Sequence, residues 1–304
     1  MKSTANLVLL LTAAIWGFAF VAQQAGMEHI GPFTYNGIRF ALGSVSLIPL
    51  MLYFRKRKKE SAGAPYPAQS AVRIGVLAGC ILFFGASFQQ IGLLYTTAGK
   101  AAFITGLYTV FVPIAGIFLK QRTNVVTWLS CMLAVSGLFF LCVKENFTMS
   151  PGDLLELTGS FFWTAHIILI DRYSAKLDTL KLAGVQFATC SGLSLLTAIS
   201  LETITWNGVL LAGIPILYGG LLSVGIAYTL QIIGQKYAEP AHASIILSME
   251  TVFATIGGYF FLQEVLGTRE LWGCALMLSG MLLSQLRNLT SSGKSPVSQP
   301  KESC

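Results

Sequence analysis

Long apolar runs alternate with short polar breaks along this chain, and each run is apolar on nearly every face rather than along one stripe. Such a pattern belongs to helices whose surroundings are themselves apolar. One helical crossing of a bilayer core takes about 20 apolar residues. Runs that meet this requirement fall at 7–25, 32–53, 72–94, 100–119, 125–143, 155–171, 181–201, 212–235, 242–262 and 269–287. The pattern predicts an all-α integral membrane protein of ten transmembrane helices, counted here as helices 1 to 10. The first run is too long for a leader peptide, carries Trp16 at its centre and leads straight into the second, so it reads as a retained helix.

Composition agrees. Apolar residues make up 54% of the chain and charged residues 11%, against about 25% charged in a soluble domain. Too few charges remain to cover a separate soluble domain. The formal net charge of +7 is not gathered on one polar face, which argues against nucleic acid as a partner. The basic residues lie between apolar runs. With the N-terminus in the cytoplasm, segments 1–6, 54–71, 120–124, 172–180, 236–241 and 288–304, with their helix ends, hold 16 of the 20 Lys and Arg residues. The positive-inside rule therefore places both termini in the cytoplasm. The cluster Arg55 to Lys59 reads as a topology signal facing anionic lipid headgroups. Residues 60–70 read as a flexible loop and 290–304 as a disordered cytoplasmic tail. The six cysteines show no paired or His-spaced pattern, so neither a metal site nor a disulfide framework is expected, and no cofactor.

The chain repeats itself. A shift of 142 lays the QxIGxxY stretch Gln89 to Tyr95 on Gln231 to Tyr237, then pairs Thr109-Val110-Phe111 with Thr251-Val252-Phe253. A shift of 143 pairs CxLxxSG at Cys131 to Gly137 with Cys274 to Gly280, and one of 147 pairs Trp16 with Trp163 and Arg39 with Gln186. Helices 1–5 (1–147) thus recur as helices 6–10 (148–289). Five is odd, so the second copy enters the membrane the other way up. Inverted repeats are the arrangement by which many transporters open alternately to either side.

Polar groups within the runs are the candidate chemistry, because hydrocarbon penalises them unless a cavity or partner is supplied. Glu250, read as eight residues into helix 9, suits a substrate amine or a coupling proton, or forms a structural hydrogen bond; its repeat counterpart is Tyr108. Arg39 suits a substrate carboxylate or a counter-ion for Glu250, or snorkels to the surface. Trp16 and Trp163 sit mid-span, where tryptophan either lines a cavity or fills space between helices. Gln89, Gln186 and Gln231 offer amides, and His166 is either pore-lining or simply hydrogen-bonded. Lys100 and His242 are equivalent helix starts and candidate gates or anion contacts.

The segments LTAAIWGFAFVAQQAG around Trp16, NGIRFALG in helix 2 and SMETVFATIGGYFFLQEVLG in helix 9 resemble the drug/metabolite transporter superfamily, and within it the ten-helix EamA type. The resemblance covers residues 7 to about 287. It implies a permease of the bacterial cytoplasmic membrane that exports amino acids or related metabolites, with a cavity among helices 1–4 and 6–9 and helices 5 and 10 outside it. One departure is Thr251 after Glu250, where the family often has proline. Proton coupling and a homodimer are both open to such a chain. The rival classes are a scaffold or channel-like protein and an intramembrane enzyme. The enzyme lacks support, since the histidines His29, His166 and His242 form no HExxH and no GxSxG element is present.

Overall fold

A computed structural model describes residues 2–58, 68–118, 125–142, 149–174, 176–238, 243 and 246–291. Every regular element among them is helical. In order they are α1 (Lys2–Gly26), α2 (Pro32–Tyr53), α3 (Ala68–Gly92), α4 (Ala98–Phe118), α5 (Val125–Cys142), α6 (Pro151–Ser174), α7 (Thr179–Leu201), a short helix Trp206–Leu211, α8 (Gly213–Gln235), α9 (Glu250–Leu262) and α10 (Thr268–Ser291). Seven of these, α1 to α4 and α6 to α8, are long and apolar enough to cross a bilayer. The apolar stretches Trp128–Leu141 in α5 and Glu250–Leu262 in α9 are shorter than a full crossing, and α10 opens on Arg269 and Glu270. Large apolar side chains such as Leu7, Phe118, Ile199 and Ile214 face outward. A bundle with such a surface is a multi-pass membrane protein.

The helices pack in a set that is unchanged when 1–5 are exchanged for 6–10. α1 lies on α8 and α9, as α6 lies on α3 and α4; α3 lies on α7, as α8 lies on α2; and α2 meets α7, α4 meets α9, α5 meets α10. Contacts repeat too. Ser191 Oγ donates to the Gly37 carbonyl at 2.8 Å, and Ser44 Oγ to the Gly184 carbonyl at 3.1 Å, the same pair of positions under the offset of 147. Between α5 and α10, a Cβ on Gly137 would stand 2.6 Å from the Gly273 oxygen, and one on Gly280 would stand 2.7 Å from the Ser130 oxygen. In both interfaces residue numbers run in opposite directions, so the equivalent helices are antiparallel.

The run 32–53 turns at Leu47, between helical segments Pro32–Ser46 and Ile48–Lys58, and two further breaks make the site. The run expected as helix 4 breaks between Ala98–Thr105 and Tyr108–Phe118, where Leu107 N–H bonds to the Ile104 carbonyl and Thr109 N–H to Gly106, both at 3.1 Å. The run expected as helix 9 breaks in the same place: Ile246–Leu247 are helical, Ser248–Met249 form a turn, and Glu250 heads α9. These i→i+3 bonds tighten the chain locally and end one helical ladder before the next begins. Glu250 is therefore not mid-helix but at the start of a half-helix, as is Tyr108.

Acid side chains tie one end of the bundle. Glu202, just past α7, accepts from Phe33 N–H and Thr34 N–H at 2.8 Å each and from the Thr34 hydroxyl at 2.6 Å, capping α2. Gln263 takes a left-handed conformation (φ 55°) after α9, and that turn throws Glu264 onto the start of α4, where it accepts from Ala98 N–H at 2.7 Å and Gly99 N–H at 3.1 Å. Each carboxylate satisfies orphan donors at the positive end of a helix dipole.

Because Gly137 lets α5 approach α10 at backbone distance, Gly137→Ala is expected to cost about 1–3 kcal/mol. It should appear as a lowered melting temperature of the detergent-solubilised protein. Gly192→Ala is the control: nothing lies within 4 Å of its Cβ position, so the melting temperature should hold or rise.

Candidate functional site

The two half-helix starts face each other across a central cavity. Tyr108 Oη donates to Glu250 Oε1 at 3.0 Å, and both residues are buried. α1 is brought close by Gly17, whose Cβ position lies 2.7 Å from the Glu250 carbonyl, so no larger residue fits there without a shift. Around this bond the walls are Trp16, Phe20 and Gln23 from α1, Arg39 from α2, Gln89 from α3, Thr105 from α4, Trp163 from α6, and Ser223, Tyr228 and Gln231 from α8. The cavity leaves about 40 Å³ for the centres of water-sized spheres. One water takes roughly 10–15 Å³ on that measure, so a metabolite enters only if the helices part.

Seven residues expected from the sequence meet here: Trp16, Arg39, Gln89, Tyr108, Trp163, Gln231 and Glu250. Arg39 is 2% exposed, so it does not snorkel to the surface. Its Nε donates to Asn36 Oδ1 at 2.9 Å and its guanidinium lies over the rings of Phe40 and Tyr35, at 4.9 and 5.5 Å from their centroids. Among the described residues it forms no ion pair, and the counter-ion role for Glu250 is not realised because Glu250 instead takes its bond from Tyr108. A buried cation with no carboxylate partner is a ready anion contact. The indole Nε1 of Trp163 and the amide oxygens of Gln23 and Gln231 are buried without hydrogen-bond partners, a donor and two acceptors for whatever fills the cavity.

Other expectations are corrected. Gln186 and His166 do not line the cavity. His166 Nε2 and Gln186 Oε1 stand 3.1 Å apart, fully buried, with the His166 ring edge-on behind Trp163 and Tyr228. One bond joins them, while His166 Nδ1 and Gln186 Nε2 are buried without partners, and the pair backs the aromatic wall. Lys100 does not present itself to an anionic substrate: its Nζ is held 3.5 Å from Asp153 and 3.8 Å from Glu270, tying α4 to α6 and α10. His242 lies outside the described residues, as do most of the loop 60–70 and of the tail 290–304. No group of His, Cys, Asp and Glu able to hold a metal ion occurs among the described residues.

Besides the wall residues Phe20, Thr105 and Ser223, two participants escaped the sequence reading. Tyr228 packs edge-on against Trp16 at 4.6 Å and nearly parallel to Trp163 at 6.3 Å, bridging the two indoles. Its counterpart under the repeat is Ala86, so the repeat carries no signal for it. Tyr228 closes an unusual stretch of α8, a π-helix over Tyr218–Tyr228, where Trp16 Nε1 reaches the Ser223 carbonyl at 3.2 Å. Glu156 is the second, fully buried on α6 and joined to the cavity wall through Thr105.

The Tyr108–Glu250 bond is testable by a double-mutant cycle. Tyr108→Phe and Glu250→Leu, singly and together, should show a coupling of about 0.5–3 kcal/mol in unfolding stability. Strictly additive losses would mean that the two side chains do not interact.

Comparison with known proteins puts this geometry in context. The family model of the EamA-like transporter family matches residues 3–143 and again residues 150–286. An uncharacterized transporter of Archaeoglobus fulgidus is 29% identical over 293 residues, covering 93% of this chain and 86% of its own. The uncharacterized transporter YoaV of Bacillus subtilis is 22% identical over 280 residues, covering 89% and 92%. A WAT1-related chloroplastic protein of Arabidopsis thaliana is 24% identical over 299 residues, covering 91% and 68%. A solved crystal structure shares the fold at a TM-score of 0.72 and 20% identity, across 97% of this chain and 100% of that one. With the family model matching in two copies along nearly the whole chain, this membrane protein belongs to the EamA-like transporter family.

Proposed function

We propose that this membrane transporter is a secondary carrier of ten helices in two inverted five-helix repeats, with both termini in the cytoplasm, and that it exports a small zwitterionic metabolite such as an amino acid across the cytoplasmic membrane. The observation that carries this reading is that Arg39 and Glu250 line one cavity without pairing with each other. A substrate with a carboxylate and an amine would give Arg39 and Glu250 each an opposite charge beside their hydrogen bonds to Asn36 and Tyr108, and the apolar remainder would pack against Trp16, Tyr228 and Trp163. Inversion is supported by the antiparallel crossing of α2 with α7 and of α5 with α10 at equivalent positions. Such an arrangement lets the cavity open at one end by the movement that closes the other.

The test is counterflow in liposomes with a labelled panel of amino acids, simple amines and simple carboxylates, with and without a pH gradient. Saturable counterflow should be confined to compounds bearing both charges. Arg39→Gln should raise the half-saturating concentration roughly 10- to 100-fold, the worth of a charge-assisted hydrogen bond of about 1.5–3 kcal/mol. Glu250→Gln should impair transport or shift its pH dependence while the protein still folds. Transport unchanged at every pH would remove Glu250 from the site, and absence of any counterflow by folded protein would favour the scaffold reading.

A further inference from the structure

We propose that Glu156 is a proton-binding site separate from Glu250, and that its protonation reverses the hydrogen bond through Thr105 and so turns the Gln89 amide in the cavity wall. Glu156 stands 0% exposed inside α6. Its Oε2 accepts from Thr105 Oγ1 at 3.1 Å, Thr105 Oγ1 accepts from Gln89 Nε2 at 3.2 Å, and Oε1 is buried without a hydrogen-bond partner. Thr105 and Gln89 both line the cavity. Among the described residues no cation pairs with it, and a carboxylate so buried with one bare oxygen is costly within a membrane, a charge that a bound proton removes.

The site is also a departure from the repeat. Gly92 packs on Glu156, with its Cβ position 2.8 Å from Oε1; the equivalent Gly234 packs on Leu9, with its Cβ position 2.7 Å from the Leu9 side chain. The same backbone contact thus holds an acid in one half and leucine in the other. Leu9 shows that packing alone is met by an apolar residue, so the carboxyl group serves something besides packing.

The charged and titratable neighbours are few. On its own helix Asp153 is held by the Thr96 hydroxyl at 2.7 Å and by Lys100, which also meets Glu270 of α10. The elements packed on α6 carry Arg73 and Cys80 on α3, Lys100 and Tyr108 on α4, and Tyr218 and Tyr228 on α8. Of these, Lys100 stands at the same end as Glu156 and is committed to Asp153 and Glu270. Tyr108 is committed to Glu250.

The proton balance is simple. As a carboxylate, Glu156 accepts the Thr105 hydroxyl hydrogen, and Thr105 in turn accepts from the Gln89 amide nitrogen. When Thr105 passes its hydroxyl hydrogen to Oε2 and Oγ1 takes one from hydronium in the cavity, which leaves as water, Glu156 becomes the donor and Thr105 the acceptor. The Thr105 hydrogen then needs a new acceptor, which Gln89 supplies by turning its amide oxygen toward it and its nitrogen into the cavity. The wall changes from presenting an acceptor to presenting a donor, with no charge added to the cavity itself.

Infrared difference spectra of the purified full-length protein in liposomes, acid minus neutral pH and with no substrate present, test this directly. We expect a buried carboxylic-acid carbonyl band that is lost in Glu156→Gln and kept in Glu250→Gln, together with a glutamine amide change that is lost in Gln89→Leu. Thr105→Val keeps Glu156 but cuts the link, so it should shift the acid band and abolish the amide change; it serves even if Glu156→Gln does not fold. A spectrum without such a band, a band that survives Glu156→Gln, or a band unmoved by Thr105→Val would overturn the proposal. Because the readout needs no transport, failure of the amino-acid reading leaves it standing and its own failure leaves that reading intact.

Discussion

The bond from Tyr108 to Glu250 joins the starts of two half-helices, and the cavity exists because those helices stop and restart there. In a bilayer every backbone donor and acceptor must be met inside the protein, so a helix that breaks within the membrane needs protein or enclosed water at the break. Here the breaks at Gly106–Leu107 and Ser248–Met249 face a lined cavity rather than lipid. The free ends of the second pieces then carry the polar side chains. Glu250 stands in the first turn of α9, where a helix dipole favours a carboxylate, and Tyr108 stands at the matching place in α4.

Around that bond the two halves repeat their backbones and diverge in chemistry. Arg39 answers to Gln186, Glu156 to Leu9, Tyr228 to Ala86, and the π-helical part of α8 to regular helix in α3. The repeated part is what sets the packing: Ser44 and Ser191, Gly137 and Gly280 make the same contacts in both directions. The divergent part collects at the cavity. Arg39 lines the cavity, whereas its counterpart Gln186 stands behind the wall, bonded to His166, so the two halves present unequal chemistry to it.

Much of the site was legible because polar residues in apolar runs are conspicuous. Trp16, Arg39, Gln89, Tyr108, Trp163, Gln231 and Glu250 stood out on that ground alone and converge in one cavity. Polarity could not separate them from Gln186 and His166, because whether two polar groups satisfy each other depends on which helix faces meet. The helix breaks were invisible for a similar reason: neither Gly106–Leu107 nor Ser248–Met249 contains proline, and local sequence there tolerates a continuous helix. Glu156 was passed over because it stands at the beginning of its apolar run, where carboxylates usually meet headgroups. Only the fold shows that the Gly92 end of α3 covers it.

The ends of the bundle also answer to one another, and unequally. Glu202 and Glu264 cap α2 and α4 at one end; in the sequence, the repeat offsets lay them on Arg55 and Arg122, so neither acid recurs in the other half. An acid at a helix start contributes about 0.3–1 kcal/mol, and up to about 2 kcal/mol when partly buried. Two such caps and the Lys100 pairs therefore amount to a few kcal/mol. The N–H groups of Leu180 and Lys181, which answer to those of Phe33 and Thr34, are accepted by Asp178 at 3.2 and 3.3 Å, so the start of α7 is capped by a neighbour in sequence and the start of α2 by an acid from another helix. The two halves thus meet the same backbone requirement with different residues, a distant acid for α2 and a local one for α7, and the repeat constrains the contact rather than the side chain that makes it.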